Sequence, residues 1–265
     1  MDLEYVKRVL SLDGKKAIVT GGNSGIGRSA AISLANMGAE VYIIGRDKKT
    51  LDETVEALKN INGRCGGRCV DIKNKSEIDG FFDEYYCENE GRLDILIANA
   101  GICMSIRALD TTAENVDELF DINYKGTLFC CQQAARAMKE HNGGSILIVT
   151  SVNALYPLPT QAAYSSTKGA LEVLTQCLAV DLAPYNIRVN TLAPGAILTN
   201  IGRNNPKLPT AEILNREKSR PKLPLGRVGE PEDMGEAVAC IVSDAFRYMT
   251  GSTVLIDGGL KLRNV

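Results

Sequence analysis

The chain has 265 residues, a net charge of −2, 45% hydrophobic and 23% charged residues. That is ordinary globular composition with enough apolar residues for a sizeable core, and the balance of charge gives no basic face for nucleic acid or an anionic membrane. The start, MDLEYVKRVLSLDGKK, breaks up its apolar residues with charges and offers no cleavage site, and no apolar run reaches membrane-spanning length, so a cytoplasmic protein is expected.

Strand-like and helix-like segments alternate. KAIVT at 16–20 reads as a first strand, followed by glycines and a helical pattern through Met37 that Gly38 stops. VYIIG at 41–45 is a second strand and 51–61 a helix; RCVDI at 68–72 is a third strand, with a polar helix to about Glu90. A fourth strand is expected at 93–101 and one long helix over 113–139, then a fifth strand at 145–151 and a helix over 162–182. A sixth strand at 187–195, a helix opened by Pro231 and a last strand at 252–259 complete the chain. The strands are nearly continuous in apolar residues, the mark of a parallel sheet covered on both faces. The expected fold is therefore α/β, one domain over 1–265 with a doubly wound parallel sheet of about seven strands. The irregular, Pro-containing segment 199–229 is expected to be a lid over the substrate.

The eight cysteines are scattered, several in apolar segments, which points to reduced thiols and no disulfide framework. Cys65 and Cys69 lack a second ligand pair and His141 is the single histidine, so neither a metal centre nor a His-based triad is expected.

The turn IVTGGNSGIGRSAA at 18–31 leaves the first strand and opens the first helix. Gly21, Gly25 and Gly27 let backbone approach a pyrophosphate, and the helix N-terminus offers unpaired N–H groups and positive partial charge. The spacing, G-x3-G-x-G, is not the common G-x-G-x-x-G, yet the position after strand one suits a dinucleotide. At the end of strand two an acidic residue would hold the 2′-hydroxyl of NAD; here stand Gly45 and Arg46, a guanidinium suited to a 2′-phosphate. NADP(H) is expected over NAD(H), with Asp47 an alternative partner for the ribose.

Tyr164 and Lys168, in YSSTK, lie one helical turn apart on one face. They are either a surface pair or a phenol whose pKa an adjacent ammonium pulls down.

The segments TGGNSGIG (20–27), ANAG (98–101), IN (122–123), TS (150–151), YSSTK (164–168), RVNTLAPG (188–195) and GSTVLIDGG (251–259) resemble, in order and spacing, the short-chain dehydrogenase/reductase family. The resemblance covers nearly the whole chain. Ala98, where the family often has Asn, is a tolerated departure. It implies a Rossmann-type sheet, NAD(P) and a catalytic set of Ser151, Tyr164, Lys168 and Asn123. Tyr164 would exchange a proton with the substrate oxygen as hydride moves. Lys168 would also bind the nicotinamide ribose, Ser151 would stabilise charge on that oxygen, and Asn123 would hold a water linking Lys168 to solvent.

Cofactor contacts are expected from Gly21, Asn23, Ser24, Gly25, Ile26, Gly27, Arg46, Asp71, Ile72, Asn99, Ala100, Gly101, Tyr164, Lys168, Pro194, Gly195, Ile197 and Thr199. Among them Asp71 would accept from the adenine amine and Thr199 would bond the carboxamide. The substrate pocket is expected to include Cys103, Met104, Asn153 and Tyr156, with mixed polar and apolar lining. Arg203, Lys207, Arg216, Lys218, Arg220 and Lys222 in the lid would suit an anionic substrate or would simply be a solvated face. The expected activity is an NADP(H)-dependent exchange between a ketone and a secondary alcohol. The alternatives are an NAD-dependent polyol, sugar-acid or hydroxysteroid dehydrogenase and a catalytically silent dinucleotide sensor. A homodimer or homotetramer assembled through the Asn123 and Tyr164 helices is what the resemblance implies.

Overall fold

The structure, a computed structural model, describes residues 3–199, 201 and 223–264. Of the expected lid, residues 200 and 202–222, with the basic side chains named above, lie outside the described residues.

Seven parallel strands form one sheet in the order β3-β2-β1-β4-β5-β6-β7. They are β1 (Lys16–Thr20), β2 (Glu40–Gly45), β3 (Gly66–Cys69), β4 (Ile95–Ala98), β5 (Gly144–Val149), β6 (Ile187–Pro194) and β7 (Thr253–Ile256). Between them run α1 (Leu3–Leu10), α2 (Gly25–Asn36), α3 (Lys48–Ile61), α4 (Lys75–Glu88), α5 (Ala113–Phe120), α6 (Thr127–Glu140), α7 (Ala162–Leu182) and α8 (Pro231–Val242). Successive side chains on a strand point to opposite faces, and here both faces are buried. Ile18, Ile44, Leu96, Ile146 and Ile148 pack into one core with Phe82, Cys130 and Tyr164. Their neighbours Val19, Ile43, Ile97, Leu147 and Val149 pack into the other with Leu34 and Val238. The expected doubly wound α/β sheet is therefore present.

The strand order reverses between β1 and β4, whose ends Thr20 and Ala98 are paired. At such a switch point the connections leave to opposite sides and open a crevice beyond the carboxyl ends, where ligands of these sheets bind.

Three boundaries differ from expectation for visible reasons. β3 covers residues 66–69 instead of 68–72. Gly66 and Gly67 enter the strand because a Cβ there would lie 2.6 Å from the Tyr42 ring and 2.7 Å from Val55, while the Asp71 N–H turns away to the Glu77 carboxylate. β4 ends at Ala98 because the N–H groups of Asn99 and Ala100 both donate to Thr20 Oγ1. The long helix expected over 113–139 is broken by a π-helical turn, Asp121–Gly126, and Asn123 sits in that turn, not in a regular helix. Such turns add a residue and redirect a side chain; this one delivers the Asn123 amide to Ile102, where Oδ1 accepts from N–H at 2.8 Å and Nδ2 donates to the carbonyl at 3.0 Å. Helix α1 was not anticipated from its charged sequence.

Candidate active site

A cleft of about 360 Å³ opens over the β1–β4 switch point. Gly21, Asn23, Ser24, Gly25, Ile26, Arg46, Asp71, Ile72, Asn99, Ala100, Gly101 and Thr199 line it together. Thr50, Val70, Ile102 and Ile122, not anticipated, add to its walls.

The glycine-rich turn is fixed from below. Asn99 Nδ2 donates to the carbonyls of Thr20 and Gly21 at 3.0 and 3.3 Å. Gly21 has φ +63, and a Cβ there would meet Ala100 Cα at 3.0 Å, while one on Gly27 would run into the Gly21 carbonyl and the Asn99 amide. Ser24 caps α2 without spending its hydroxyl on a cap bond, so the helix N-terminus faces the cleft with its N–H groups and a hydroxyl not used in the cap. A backbone cradle without side chains, the Ser24 hydroxyl and apolar walls fit a dinucleotide. Gly27 takes part through packing beneath the turn. Of the expected contacts beyond this lining, Gly195 N donates to Ile256 O, and Ile197 bridges to Gly229.

At the cleft's far end Arg46 Nη1 lies 3.8 Å from Asp71 Oδ2, both side chains partly exposed. Asp47 caps α3: its carboxylate accepts from Thr50 N at 2.8 Å and Thr50 Oγ1 at 2.9 Å. Asn23 Nδ2 donates to the same Thr50 hydroxyl at 2.8 Å, joining the glycine turn to α3.

The expected catalytic residues come together at the near end. Ser151 stands beside the Tyr164 phenol, where its hydroxyl works to lower the phenol's pKa. Lys168 Nζ lies 6.0 Å from the centre of the Tyr164 ring and donates to Val149 O at 2.9 Å. Gly101 joins the two ends, since a Cβ there would lie 3.0 Å from Asn123 Oδ1 and 3.6 Å from Lys168 Nζ.

One expectation is corrected. On balance the protein does not lower the Tyr164 pKa: burial pushes the phenol well above its ordinary value and Cys103 adds to this, outweighing the opposing effect of Ser151. It is Lys168 that is brought toward neutrality, pushed down to about 8 by burial against the pull of Cys103 and Glu172. The Asn123 side chain spends both amide hydrogens on protein, on Ile102 O and on Thr167 Oγ1 at 3.1 Å, which leaves its oxygen acceptors as the atoms to meet the expected water. Thr167, fully buried, was missed; its position three residues after Tyr164 was the available signal.

Beside Ser151 lies a polar chain. Asn153 N donates to Ser151 Oγ at 3.1 Å, Asn153 Nδ2 donates to Gln161 Oε1, and Gln161 Nε2 reaches Ser105 Oγ at 3.2 Å and Cys103 Sγ at 3.6 Å. Burial pushes the Cys103 thiol up to about 11. Asn153 Oδ1 is buried without a partner among the described residues. Tyr156 stands at the rim with Lys261 Nζ 5.9 Å from its ring centre. Met104 packs against the core, partly buried. Among the described residues no group of three His, Cys, Asp or Glu could hold a metal; Cys65 Sγ accepts from Val41 N and Cys69 is exposed.

The comparisons with known proteins agree with this geometry. The family described as enoyl-(acyl carrier protein) reductase matches residues 21–261. The chain belongs to the short-chain dehydrogenase/reductase family. It is 34% identical to the 3alpha-hydroxysteroid dehydrogenase of Mediterraneibacter gnavus, over 95% of this chain and 99% of that protein. It is also 34% identical to the L-rhamnose 1-dehydrogenase (NAD(P)(+)) of Sphingomonas sp., over 94% and 97%. A short-chain type dehydrogenase/reductase from Mycobacterium marinum superposes with a TM-score of 0.87 at 33% identity, covering 96% of this chain and 98% of that one. The protein is thus an oxidoreductase acting between CH–OH and C=O with NAD(P). Among the described residues no helix is long and apolar enough to cross a membrane.

Proposed function

We propose that the protein is an NADP(H)-dependent carbonyl reductase and alcohol dehydrogenase with Tyr164 as its proton donor and acceptor. One observation carries this reading: Ser151, Tyr164 and Lys168 meet at one end of a glycine-lined cleft, and Gly101 belongs to both. NADP(H) bound in that cleft supplies or takes up the hydride. Tyr164, a neutral phenol at physiological pH, is in the state that protonates a ketone oxygen. Ser151 bonds the same oxygen and stabilises its developing charge. Lys168 keeps N–H groups beyond its single carbonyl partner for the ribose, and its charge favours the phenolate left after transfer. Asn123 acts as a positioning residue, holding Ile102 and Thr167.

The preference for NADP(H) rests on Arg46, a partly exposed guanidinium at the rim that is 3.8 Å from Asp71 and suited to a phosphate, and on Asp47 being committed to the α3 cap. Steady-state kinetics with both coenzymes tests it; a clear preference for NADH would end it. NADPH consumption against a panel of ketones tests the activity, with Tyr164→Phe as control. Undiminished turnover in that variant would sink the mechanism.

A second reading, a polyol or sugar-acid substrate, is supported by Asn153. Its buried, unpartnered Oδ1 beside Ser151 is an acceptor suited to a further substrate hydroxyl. We also infer a homodimer or homotetramer, because Val173, Cys177 and Val180 form an exposed, largely apolar stripe on α7. Eight free cysteines, with Cys130 and Cys131 adjacent and buried, support a reducing, cytoplasmic setting.

A further inference from the structure

Glu172 follows Lys168 by one helical turn, as Lys168 follows Tyr164, so phenol, ammonium and carboxylate share one face of α7. Its residue is only 8% exposed. A carboxylate in such a place needs partners, and three hydroxyls provide them. Thr150 donates to Oε1 at 2.6 Å, and Thr191 and Thr253 donate to Oε2 at 2.9 and 2.5 Å. Each hydroxyl has one proton to give, so the carboxylate serves as the common acceptor. Thr150 precedes Ser151 directly, and Thr191 and Thr253 face one another in the register of β6 and β7. Glu172 thereby ties α7 to β6, β7 and the residue that follows β5, beneath Ser151.

The groups facing Lys168 are few. Its own helix offers Tyr164 and Glu172, the segment after β4 offers Cys103, β5 offers the Val149 carbonyl and the π turn offers uncharged Asn123. Around Glu172 the strands present only threonines, and among the described residues no cation ion-pairs with it. With the Cys103 thiol neutral at physiological pH, Glu172 is, among the described residues, the carboxyl group that acts on Lys168.

Resting on the assignment of Ser151, Tyr164 and Lys168 above, we propose that Glu172 is a positioning residue for proton transfer: it anchors the strand end that carries Ser151 and supplies the counter-charge that keeps Lys168 an ammonium.

The test is Glu172→Gln in the full chain, with Lys168 titrated by NMR of the lysine-labelled protein and assigned with Lys168→Arg. The Lys168 midpoint is expected to fall by on the order of one pH unit, and kcat at pH 8 to fall about fivefold with the ketone KM unchanged. Glu172→Asp, which keeps the charge, is expected to restore most of the midpoint. An identical midpoint in wild type and Glu172→Gln overturns the proposal. Should Glu172→Gln not fold, Thr253→Val removes one anchor and keeps the charge: an unchanged midpoint with kcat lowered several-fold supports the anchoring role, and wild-type kcat overturns it. The titration needs no substrate, so a protein that oxidised no NADPH would refute the assigned reaction separately.

Discussion

Asn123 Nδ2 donates to Thr167 Oγ1 at 3.1 Å, and Thr167 Oγ1 donates in turn to Tyr164 O at 2.7 Å. The π turn is thereby bonded to the first turn of the helix that carries Tyr164. Asn123→Ala leaves Ile102 N–H, Ile102 C=O and the Thr167 hydroxyl without that partner, at about 1–3 kcal/mol for each buried group left unpaired. The expected outcome is a melting temperature lower by several degrees and a reduced kcat, with NADPH affinity nearly kept. Thermal unfolding, coenzyme titration and single-turnover rates check it; an unchanged kcat would remove Asn123 from the positioning scheme.

Lys168 gives the pH dependence. Burial pushes it down to about 8, so it is an ammonium below that pH and an amine above it. For carbonyl reduction, kcat/KM for NADPH is expected to be level on the acid side and to fall by about tenfold per unit on the alkaline side, because this ratio reports groups of the free enzyme. Lys168→Met is expected to lose that limb together with most of the activity. A wild-type profile still level two units above neutrality would contradict the assignment.

Arg46→Ala should distinguish the coenzymes. A charge-assisted contact to a 2′-phosphate is worth about 1.5–3 kcal/mol, so the KM for NADPH is expected to rise tenfold or more while that for NADH changes little. Asp71, 3.8 Å from Arg46, loses its partner in the same variant. Equal effects on both coenzymes would assign Arg46 to the adenosine common to them.

Gly27→Ala probes the cradle. The new methyl would run into the Gly21 carbonyl and the Asn99 amide, which is held by Thr20 O and Gly21 O. Backbone cannot yield as a side-chain tip can, and overpacking of this kind costs about 1–3 kcal/mol. Lowered thermal stability and weakened binding of both coenzymes are expected, by calorimetry and fluorescence titration. A stable variant with normal affinity would show that this turn does not hold the pyrophosphate.

The alternation of elements, the glycine turn and the Y-x-x-x-K spacing were legible in the sequence because each is local. A strand's apolar run, a helix's one-turn neighbours and a side-chain-free turn follow from residues close in the chain. Gly66 and Gly67 misled, since glycine reads as a strand breaker and only the Tyr42 ring and Val55 explain its presence in β3. The break at Asn123 was hidden as well, because the turn is stabilised by Ile102, 21 residues away.

By itself the sequence determined the layered α/β order, the cradle for a dinucleotide and the identity of the hydroxyl and ammonium at Tyr164 and Lys168. Only the tertiary structure decided their electrostatics. Spacing along a helix brings Lys168 near Tyr164, but complete burial of both penalises their charged forms, raising one pKa and lowering the other. It likewise decided the company of Glu172, whose threonine partners come from β6, β7 and the end of β5 and meet only when the sheet has formed.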